Sequence, residues 1–321
     1  MFSGLSFSDM PRQLLVPSPA KLNLALAVGR RRADGMHPIC SWMVSISLAD
    51  ELLLTRLEED RWSRYAILWH EDARRRSEID WPIRQDLAVR AHLALEEKLE
   101  RRLPVQMKLE KRIPVGGGLG GGSSNAAAML RALNELFDLG LSVRELAAVG
   151  AALGSDVPFM VAGGSAIVEG AGERVEAHDL QAELHAVLVF PELACPTGAV
   201  YAAFDELQCA STNDACVREL LNGEGRAGAL SDALFNDLTP AAMHVAPALR
   251  EHLRELAEIA DRKAHLTGSG STMFIICDDA MHAEALAAAI EERTGLAAAA
   301  VSTVQGSVNS RDATASSGKV T

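Results

Sequence analysis

The sequence predicts an α+β fold of two domains with a ligand site between them. Strand patterns dominate the chain up to about Leu54. A strand, a glycine-rich loop and two successive helices follow between Val105 and Leu153, after a helix near Asp86 to Arg101. In the second half, helical runs alternate with strand-like ones. A chain of 321 residues is long enough for two domains that each bury a core.

The first informative strand lies near the N-terminus. Apolar residues alternate at Leu22, Leu24 and Leu26, which predicts a half-buried strand. Lys21 and Asn23 then share the opposite face. Taken alone, such a lysine is typical of a solvated strand position. A polar basic turn that contains Asp34-Gly35 follows at Arg30-Arg31-Arg32 through Pro38.

A glycine-rich loop is the most informative segment. It follows a predicted strand at Val105–Leu109 and precedes a helix predicted from about Ser124 to Phe137. Glycines let the backbone approach a ligand closely, and a helix N-terminus presents free N–H groups to an anion. We therefore predict phosphate binding by Pro114, Val115, Gly116, Gly117, Gly118, Leu119, Gly120, Gly121, Gly122, Ser123 and Ser124.

Other interpretations of this loop fit less well. A flexible linker would seldom be framed so closely by a strand and a helix. The P-loop of nucleoside triphosphatases needs Gly-Lys-Ser/Thr, and Gly318-Lys319 is followed by valine. A dinucleotide fingerprint matches at Gly116, Gly118 and Gly121, but it requires strand–helix–strand order. Here a capping box at Ser142-Val-Arg-Glu145 predicts a second helix through Leu153.

The segments after these helices complete the predicted architecture. Pro158 requires a turn in Gly154–Phe159, which can bring the Asp156 carboxylate beside the glycine loop. Strand-like runs occupy 165–175 and 185–190, and polarity rises between them. We expect one domain over residues 12–178, a second over 179–305, and a disordered tail over 306–321.

The predicted second domain combines helices with strands. Helical runs lie near Thr239–Asp261 and Ala280–Thr294, and strands near Thr272–Cys277 and Ala297–Val304. A small glycine-rich turn, Leu266-Thr-Gly-Ser-Gly270, precedes the first of these strands. Its backbone N–H groups suit a second anion.

The order of four motifs resembles one known family. Pro19-Ala-Lys-Leu-Asn23, the glycine loop, Gly154-Ser-Asp-Val-Pro158 and Leu266-Thr-Gly-Ser-Gly270 follow one another as in the GHMP kinases. Within that superfamily they resemble the 4-diphosphocytidyl-2-C-methyl-D-erythritol kinases, because Arg32-Ala-Asp-Gly-Met-His37 is similar to the Arg-x-Asp-Gly-Tyr-His of that branch. The resemblance implies the two-domain GHMP kinase fold, with an N-terminal ATP-binding domain and phosphorylation of an alcohol.

The resemblance also implies roles for individual residues. Lys21 and Asp156 match the catalytic pair, in which the aspartate accepts the proton of the substrate hydroxyl. The glycine loop would hold ATP with Mg²⁺, with Ser123 or Ser124 near the β-phosphate or its metal ion. His37 would read the cytosine edge, and Tyr201 would stack on the base. The expected substrate-binding residues are Asn23, His37, Thr197, Tyr201, Gly268 and Ser269.

The chain departs from the branch at two positions. Met36 stands where a tyrosine usually closes the other face of the cytosine. Asp86 replaces the asparagine of an Asp-Asn-Leu segment near the adenine pocket, and an ionised carboxylate can only accept hydrogen bonds. The segment 234–238 resembles a family segment whose role looks structural.

Net charge bounds the partners. The formal charge of −12 disfavours non-specific nucleic-acid binding. An anionic nucleotide then needs a locally positive site, which Arg30-Arg31-Arg32 and Lys111-Arg112 could supply. Arg74-Arg75-Arg76 lies in an acidic stretch and is predicted to be a solvated face.

Other sequence features bound the compartment and the metal content. Apolar runs are too short for a transmembrane helix, and the first 16 residues lack the order of a secretory signal, so we expect a short extension there. Unpatterned cysteines suit a reducing cytoplasm. Histidines and cysteines show no ligand spacing, so no protein-built metal site is expected. We expect no membrane partner and a monomer or weak homodimer.

Two rival functions remain open. One is another small-molecule kinase of the superfamily, of the homoserine or mevalonate type. The turn that ends in His37 and the aromatic Tyr201 argue against it. The other is a non-catalytic nucleotide-binding module, against which the presence of both Lys21 and Asp156 argues.

Overall fold

The structure is a computed structural model that describes residues 12–209, 214–222, 227–305 and 311–312. Its strands are β1 (Gln13–Val28), β2 (Ile39–Arg56), β3 (Arg64–Trp69), β4 (Val105–Lys111), β5 (Ser165–Gly170), β6 (Arg174–Ala177), β7 (His185–Phe190), β8 (Phe235–Asn236), β9 (His265–Leu266), β10 (Met273–Cys277), β11 (Ala297–Ser302) and β12 (Arg311–Asp312). Its α-helices are α1 (Leu87–Leu99), α2 (Gly121–Leu136), α3 (Val143–Ala151), α4 (Val157–Ala162), α5 (Thr197–Glu206), α6 (Asp214–Asn222), α7 (Ala227–Ala233), α8 (Thr239–Val245), α9 (Ala248–Ala260) and α10 (Ala280–Thr294). A 3₁₀ turn at Ile83–Gln85 precedes α1.

Two sheets organise the chain. The first has the order β12-β1-β2-β4-β3, with β5 added to β2, β6 to β5, and β8 to β1. The second has the order β11-β7-β10-β9. The long β1 and β2 strands pair antiparallel along most of their length, with register shifts near Lys21 and Asn23. Pairing is parallel between β3 and β4 and between β1 and β8, and antiparallel in the second sheet.

The core consists of three clusters that define layers. One joins Leu14, Val16 and Met43 of the first sheet to residues of α1–α4. A second joins Leu22, Leu24 and Trp42 to Leu188 and Phe274 of the second sheet. The third joins the second sheet to α5 and α8–α10. The two sheets therefore lie between outer layers of helices, as expected for an α+β fold.

Burial corrects one expectation about β1. We expected a half-buried strand, but side chains on both of its faces are buried because the strand lies between the helical layer and the second sheet. Lys21 and Asn23 are only 3% and 2% exposed. The lysine is therefore not a solvated strand residue.

The predicted helices and strands are confirmed with shifted ends. The capping box at Ser142 and Glu145 begins α3 as expected. The glycine-loop helix begins at Gly121, three residues earlier than expected, so its first turn is built from loop residues. The predicted strand 165–175 is divided by a turn into β5 and β6.

Two prolines behave differently from the expectation. The single helix predicted over 239–261 is two helices, α8 and α9, with Pro247 at the N-cap of the second. Proline lacks the N–H that would continue the first helix. Pro158 does not only turn the chain but lies in the first turn of α4, where its missing N–H costs no hydrogen bond.

The chain ends also differ from the expectation. The first 16 residues are not all an extension, because β1 begins at Gln13. Of the tail 306–321, expected to be disordered, only Arg311–Asp312 is described, and this pair forms β12 against Leu14 and Leu15. The rest of that segment lies outside the described residues.

Candidate active site

The glycine loop connects β4 to α2 and has a backbone that only glycine adopts easily. Gly116, Gly118 and Gly120 have φ values of 74°, 77° and 67°. At Gly118 a Cβ atom would lie 2.3 Å from the carbonyl oxygen of Thr267. The loop ends in the first turn of α2, whose N–H groups have no partner within the helix. The arrangement suits an anion.

Asp50 holds both ends of this loop. Its Oδ1 accepts from the backbone N–H groups of Arg112 and Ile113 at 2.6 and 2.8 Å. Its Oδ2 accepts from Lys111 Nζ at 2.6 Å and from Asn125 Nδ2 at 2.9 Å. The carboxylate is fully buried. It therefore connects the end of β4 to the first turns of α2.

The same contacts correct the expected source of positive charge. Lys111 is neutralised by Asp50, and Arg112 Nη1 lies 3.2 Å from Glu51 Oε1. Arg32 pairs with its neighbour Asp34 at 2.8 Å. The basic residues next to the motifs are thus largely paired with carboxylates.

Lys21 and Asp156 meet beside the glycine loop. Lys21 Nζ lies 3.7 Å from Asp156 Oδ2. The backbone N–H of Lys21 donates to Leu119 O at 3.0 Å, and Asp156 directly precedes α4, where its side chain makes no capping hydrogen bond. Burial lowers the pKa of Lys21 below 10.5, while the charge of Asp156 opposes that shift. The site therefore contains an ammonium group and a carboxylate next to each other, beside the glycine loop.

Asn23 and the turn before β10 lie against this pair. Asn23 Oδ1 accepts a hydrogen bond from Lys21 Nζ, and its Nδ2 donates to Ser41 Oγ at 2.9 Å. A Cβ atom on Gly268 would lie 3.2 Å from Lys21 Nζ. Thr272 N donates to Gly117 O at 3.2 Å. The turn therefore contacts both the lysine and the glycine loop.

The segment 234–238 supports that turn, in agreement with its expected structural character. Asn236 Nδ2 donates to Leu266 O at 3.0 Å and to Gly268 O at 2.8 Å. Asp237 Oδ2 accepts from Val28 N at 2.9 Å. These bonds attach the turn to the end of β1.

His37 and Tyr201 pack together at the other end of the site. Their ring centroids are 5.0 Å apart with the planes tilted by 37°. Burial raises the pKa of Tyr201 to about 12, and Asp156 adds to the shift. Thr197 Oγ1 lies 3.0 Å from Ser269 Oγ and so connects α5 to the turn before β10. Met36 is 47% exposed at the rim.

One cavity of about 1040 Å³ connects these parts. It is lined by nearly all the residues predicted for the site, which are Lys21, Asn23, His37, Pro114, Val115, Gly116, Gly117, Gly118, Leu119, Gly120, Gly121, Gly122, Ser123, Asp156, Thr197, Tyr201, Gly268 and Ser269. Ser124 is different: it is 1% exposed and does not line the cavity, because the helix has already begun at Gly121.

The cavity also contains residues that the sequence did not single out. Asp205 lines it four residues after Tyr201, a spacing that places both on one face of α5 and could have revealed it. Arg75 lines it as well, contrary to the solvated face expected for 74–76, since its guanidinium donates to Pro191 O. No sequence signal marked Arg75.

Asp86 lines the cavity and caps the N-terminus of α1. Its Oδ1 accepts from Ala88 N at 2.9 Å and caps α1, and its Oδ2 accepts from Trp81 Nε1 at 3.3 Å. Both carboxylate oxygens are therefore engaged by the chain.

The part of the chain that the structure describes contains neither a membrane-crossing helix nor a cluster of metal-binding side chains. Its helices include none that is both long and apolar enough to cross a membrane. No group of three or more histidine, cysteine, aspartate or glutamate side chains there is arranged to hold a metal ion.

Comparisons with known proteins agree with the geometry. The family profile of the GHMP kinases N terminal domain matches residues 86–164, and that of the GHMP kinases C terminal domain matches residues 215–295. A 4-diphosphocytidyl-2-C-methyl-D-erythritol kinase from Pseudarthrobacter chlorophenolicus is 36% identical over 299 residues, which are 90% of this chain and 92% of that protein. Its counterpart from Bacillus cereus is 36% identical over 272 residues, covering 84% and 91%.

A solved structure extends the comparison to the whole fold. The crystal structure of a 4-(cytidine 5′-diphospho)-2C-methyl-D-erythritol kinase matches with a TM-score of 0.71 and 30% identity. The match covers 91% of this chain and 100% of that one. The chain therefore belongs to the 4-diphosphocytidyl-2-C-methyl-D-erythritol kinase family of the GHMP kinases.

Proposed function

We propose that this chain uses Mg-ATP to phosphorylate the 2-hydroxyl of 4-diphosphocytidyl-2-C-methyl-D-erythritol, in isoprenoid precursor synthesis by the non-mevalonate pathway. One observation carries the proposal: a single cavity is lined by the glycine loop, the Lys21–Asp156 pair and the His37–Tyr201 pair. A transfer of this kind needs a site for the ATP phosphates, a pair of catalytic residues and a site for the cytosine base. The names of the relatives support the same substrate.

Asp156 and Lys21 are the proposed catalytic residues. Asp156 orients the substrate hydroxyl and takes its proton late in the transfer. Lys21 holds a positive charge beside the Asp156 carboxylate and stabilises negative charge on the attacking oxygen and the incoming phosphoryl group. Three contacts hold Lys21 in place. Its Nζ lies beside Asp156 and donates to Asn23, and its backbone N–H donates to Leu119 O. Positioning of this kind accounts for most of the catalysis of phosphoryl transfer.

The glycine loop, from Pro114 to Ser123, is the proposed ATP phosphate site. Its close-approach glycines and the free N–H groups of α2 fit a polyphosphate. Mg-ATP supplies the phosphoryl group when it is bound. The metal would be held mainly by phosphate oxygens and water, with the Ser123 hydroxyl in reach of the cavity. Ser124 is too deeply buried to share that role.

His37 and Tyr201 are the proposed cytosine site, and Asn23, Thr197, Gly268 and Ser269 line the route between it and Lys21. Tyr201 supplies an aromatic face, and His37 supplies a ring nitrogen at the base edge. Met36, exposed at the rim, would give a thioether contact in place of a second ring.

We also propose the domain bounds 12–178 and 179–305, cytoplasmic location, and a monomer or weak homodimer. The bounds are supported by the sheets, since β7, β9, β10 and β11 form the second sheet. Five free cysteines suit a reducing compartment.

Substrate choice tests the proposal. The purified protein is given Mg-ATP with 4-diphosphocytidyl-methylerythritol, homoserine or mevalonate, and ADP release is measured. We expect turnover with the cytidine substrate. Turnover of homoserine or mevalonate alone would show another kinase of the superfamily. ATP binding without turnover of any substrate would show a nucleotide-binding module.

A further inference from the structure

His37 has a carboxylate partner that the proposed reaction does not use. His37 Nε2 lies 2.8 Å from Asp205 Oδ1. The imidazole is almost completely buried and packs against Tyr201 and against Phe204, whose ring lies perpendicular to it with the centroids 5.9 Å apart. Contacts with two aromatic rings and a hydrogen bond from Nε2 restrict the rotation of the imidazole.

The partner determines which ring nitrogen carries the proton. An ionised carboxylate only accepts hydrogen bonds, so His37 Nε2 must be the donor. In a neutral imidazole the other nitrogen is then an acceptor. Arg31 Nη1 lies 3.9 Å from Asp205 Oδ2 and already supplies a positive partner for the carboxylate. Among the described residues, none makes a hydrogen bond to His37 Nδ1.

An acceptor at Nδ1 distinguishes two kinds of pyrimidine. Cytosine carries an exocyclic amine, which donates, where uracil carries a carbonyl oxygen, which accepts. An acceptor nitrogen can form a hydrogen bond with the amine of cytosine. Opposite the carbonyl oxygen of uracil, two acceptors would face each other and repel. A buried polar group left unpaired in this way gives strong discrimination.

We propose that Asp205 is a positioning residue that fixes the Nε2–H tautomer of His37 and so selects an aminopyrimidine nucleotide over an oxopyrimidine nucleotide. The inference rests on the proposed function, because it assumes a pyrimidine nucleotide beside His37. Asp205 would thus influence base selectivity through His37, without contacting the base itself.

The test compares two substrates in four proteins. kcat and KM are measured with 4-diphosphocytidyl-methylerythritol and with its uridine counterpart for the wild type, Asp205→Asn, Asp205→Ala and Glu206→Gln. Glu206 is the matched control, because it is the next acidic residue of α5 and is exposed. The asparagine is isosteric, but its amide can donate to Nε2 and leave Nδ1 protonated.

We expect Asp205→Asn to reduce the cytidine-to-uridine ratio of kcat/KM by about tenfold or more, mainly through KM. KM for ATP should stay unchanged, and Glu206→Gln should match the wild type. If Asp205 had only a structural role, the substitution would lower kcat/KM equally for both substrates, and their ratio would stay the same. An unchanged ratio both in Asp205→Asn and in Asp205→Ala, which leaves no acceptor for Nε2–H, would therefore overturn the inference.

Two further measurements separate this inference from the proposed function. Binding of CMP and UMP, measured by calorimetry, reports base preference even if the wild type phosphorylates neither substrate. The ¹⁵N shifts of the His37 ring report the tautomer directly. Protonated Nε2 in the wild type supports the inference, and protonated Nδ1 with bare Nε2 contradicts it.

Discussion

Lys111 Nζ lies 2.6 Å from Asp50 Oδ2, and the two side chains are 5% and 0% exposed. This buried ion pair is located where β4 enters the glycine loop. Asp50 also accepts from two backbone N–H groups before the loop and from Asn125 after it. A buried charge is tolerable when it is paired and hydrogen-bonded in this way. The pair thus stabilises the fold and shapes the proposed ATP site together.

We predict that Lys111→Met destabilises the protein strongly. The change leaves the Asp50 carboxylate buried without its cation, which typically costs about 3 to 5 kcal/mol. The free energy of unfolding in urea measures the loss. Asp50→Asn combined with Lys111→Met should cost less than Lys111→Met alone, since no buried charge is left unpaired. Arg254→Met is the control, because its ion pairs with Glu251 and Glu258 are exposed, and it should change little. Equal effects of Lys111→Met and Arg254→Met would contradict the prediction.

Asp156→Asn should abolish most turnover while ATP still binds. The amide cannot take the substrate proton, and loss of a general base typically costs about 10² to 10⁴ in rate. ADP release with the cytidine substrate gives kcat, and calorimetry gives the affinity for ATP. Asp60→Asn, at an exposed position, is the control for a lost carboxylate. Near wild-type kcat in Asp156→Asn would remove Asp156 from the proposed role.

Gly117→Ala should impair ATP use through one identified contact. A Cβ atom at Gly117 would lie 2.6 Å from Thr272 Oγ1, a distance that real Cβ atoms do not tolerate. We expect KM for ATP to rise by about tenfold. Thr272→Ala removes the contacted hydroxyl and should restore KM in the double variant. Thr272→Ser keeps the hydroxyl and should not. Rescue by both or by neither would show that another contact is responsible.

Stability at alkaline pH should depend on Tyr201. Its pKa is raised to about 12 by burial, so between pH 10 and pH 12 the folded state holds a proton that the unfolded state has lost. The resulting stability is complete below pH 10 and is lost as pH rises toward 12. At pH 11 the wild type should have lost about 1.4 kcal/mol more than Tyr201→Phe, relative to pH 9. Urea unfolding at the two pH values measures the difference. Parallel losses in the two proteins would contradict the shifted pKa.

Local patterns were sufficient for much of the fold. The capping box at Ser142 predicted the start of α3, and the alternation at Leu22, Leu24 and Leu26 predicted a strand. Both signals act between neighbours in the chain, so they are readable without the tertiary structure. Burial of Lys21 was not readable, because it depends on the second sheet that covers β1.

Charge was the least predictable property of the site. Lys111 and Arg112 were expected to attract an anion, but acidic residues of β2, distant in sequence, neutralise them. Arg75, expected to be solvated, lines the cavity. Ion pairs and cavity walls join residues far apart in the chain, and a single sequence does not state which ones meet.

The sequence by itself determined the family, the glycine loop and the residues proposed for the chemistry, because each lies in a motif whose residue types and order carry the information. Only the tertiary structure decided how they meet. The approach of Lys21 to Asp156, the exclusion of Ser124 from the cavity and the contact of Asp205 with His37 all depend on packing between distant elements. The physical reason is that hydrogen bonds and ion pairs act over a few ångströms, whereas the residues of the two pairs lie far apart in the chain. The burial of Ser124 depends on the residue at which α2 begins, which the sequence pattern does not fix.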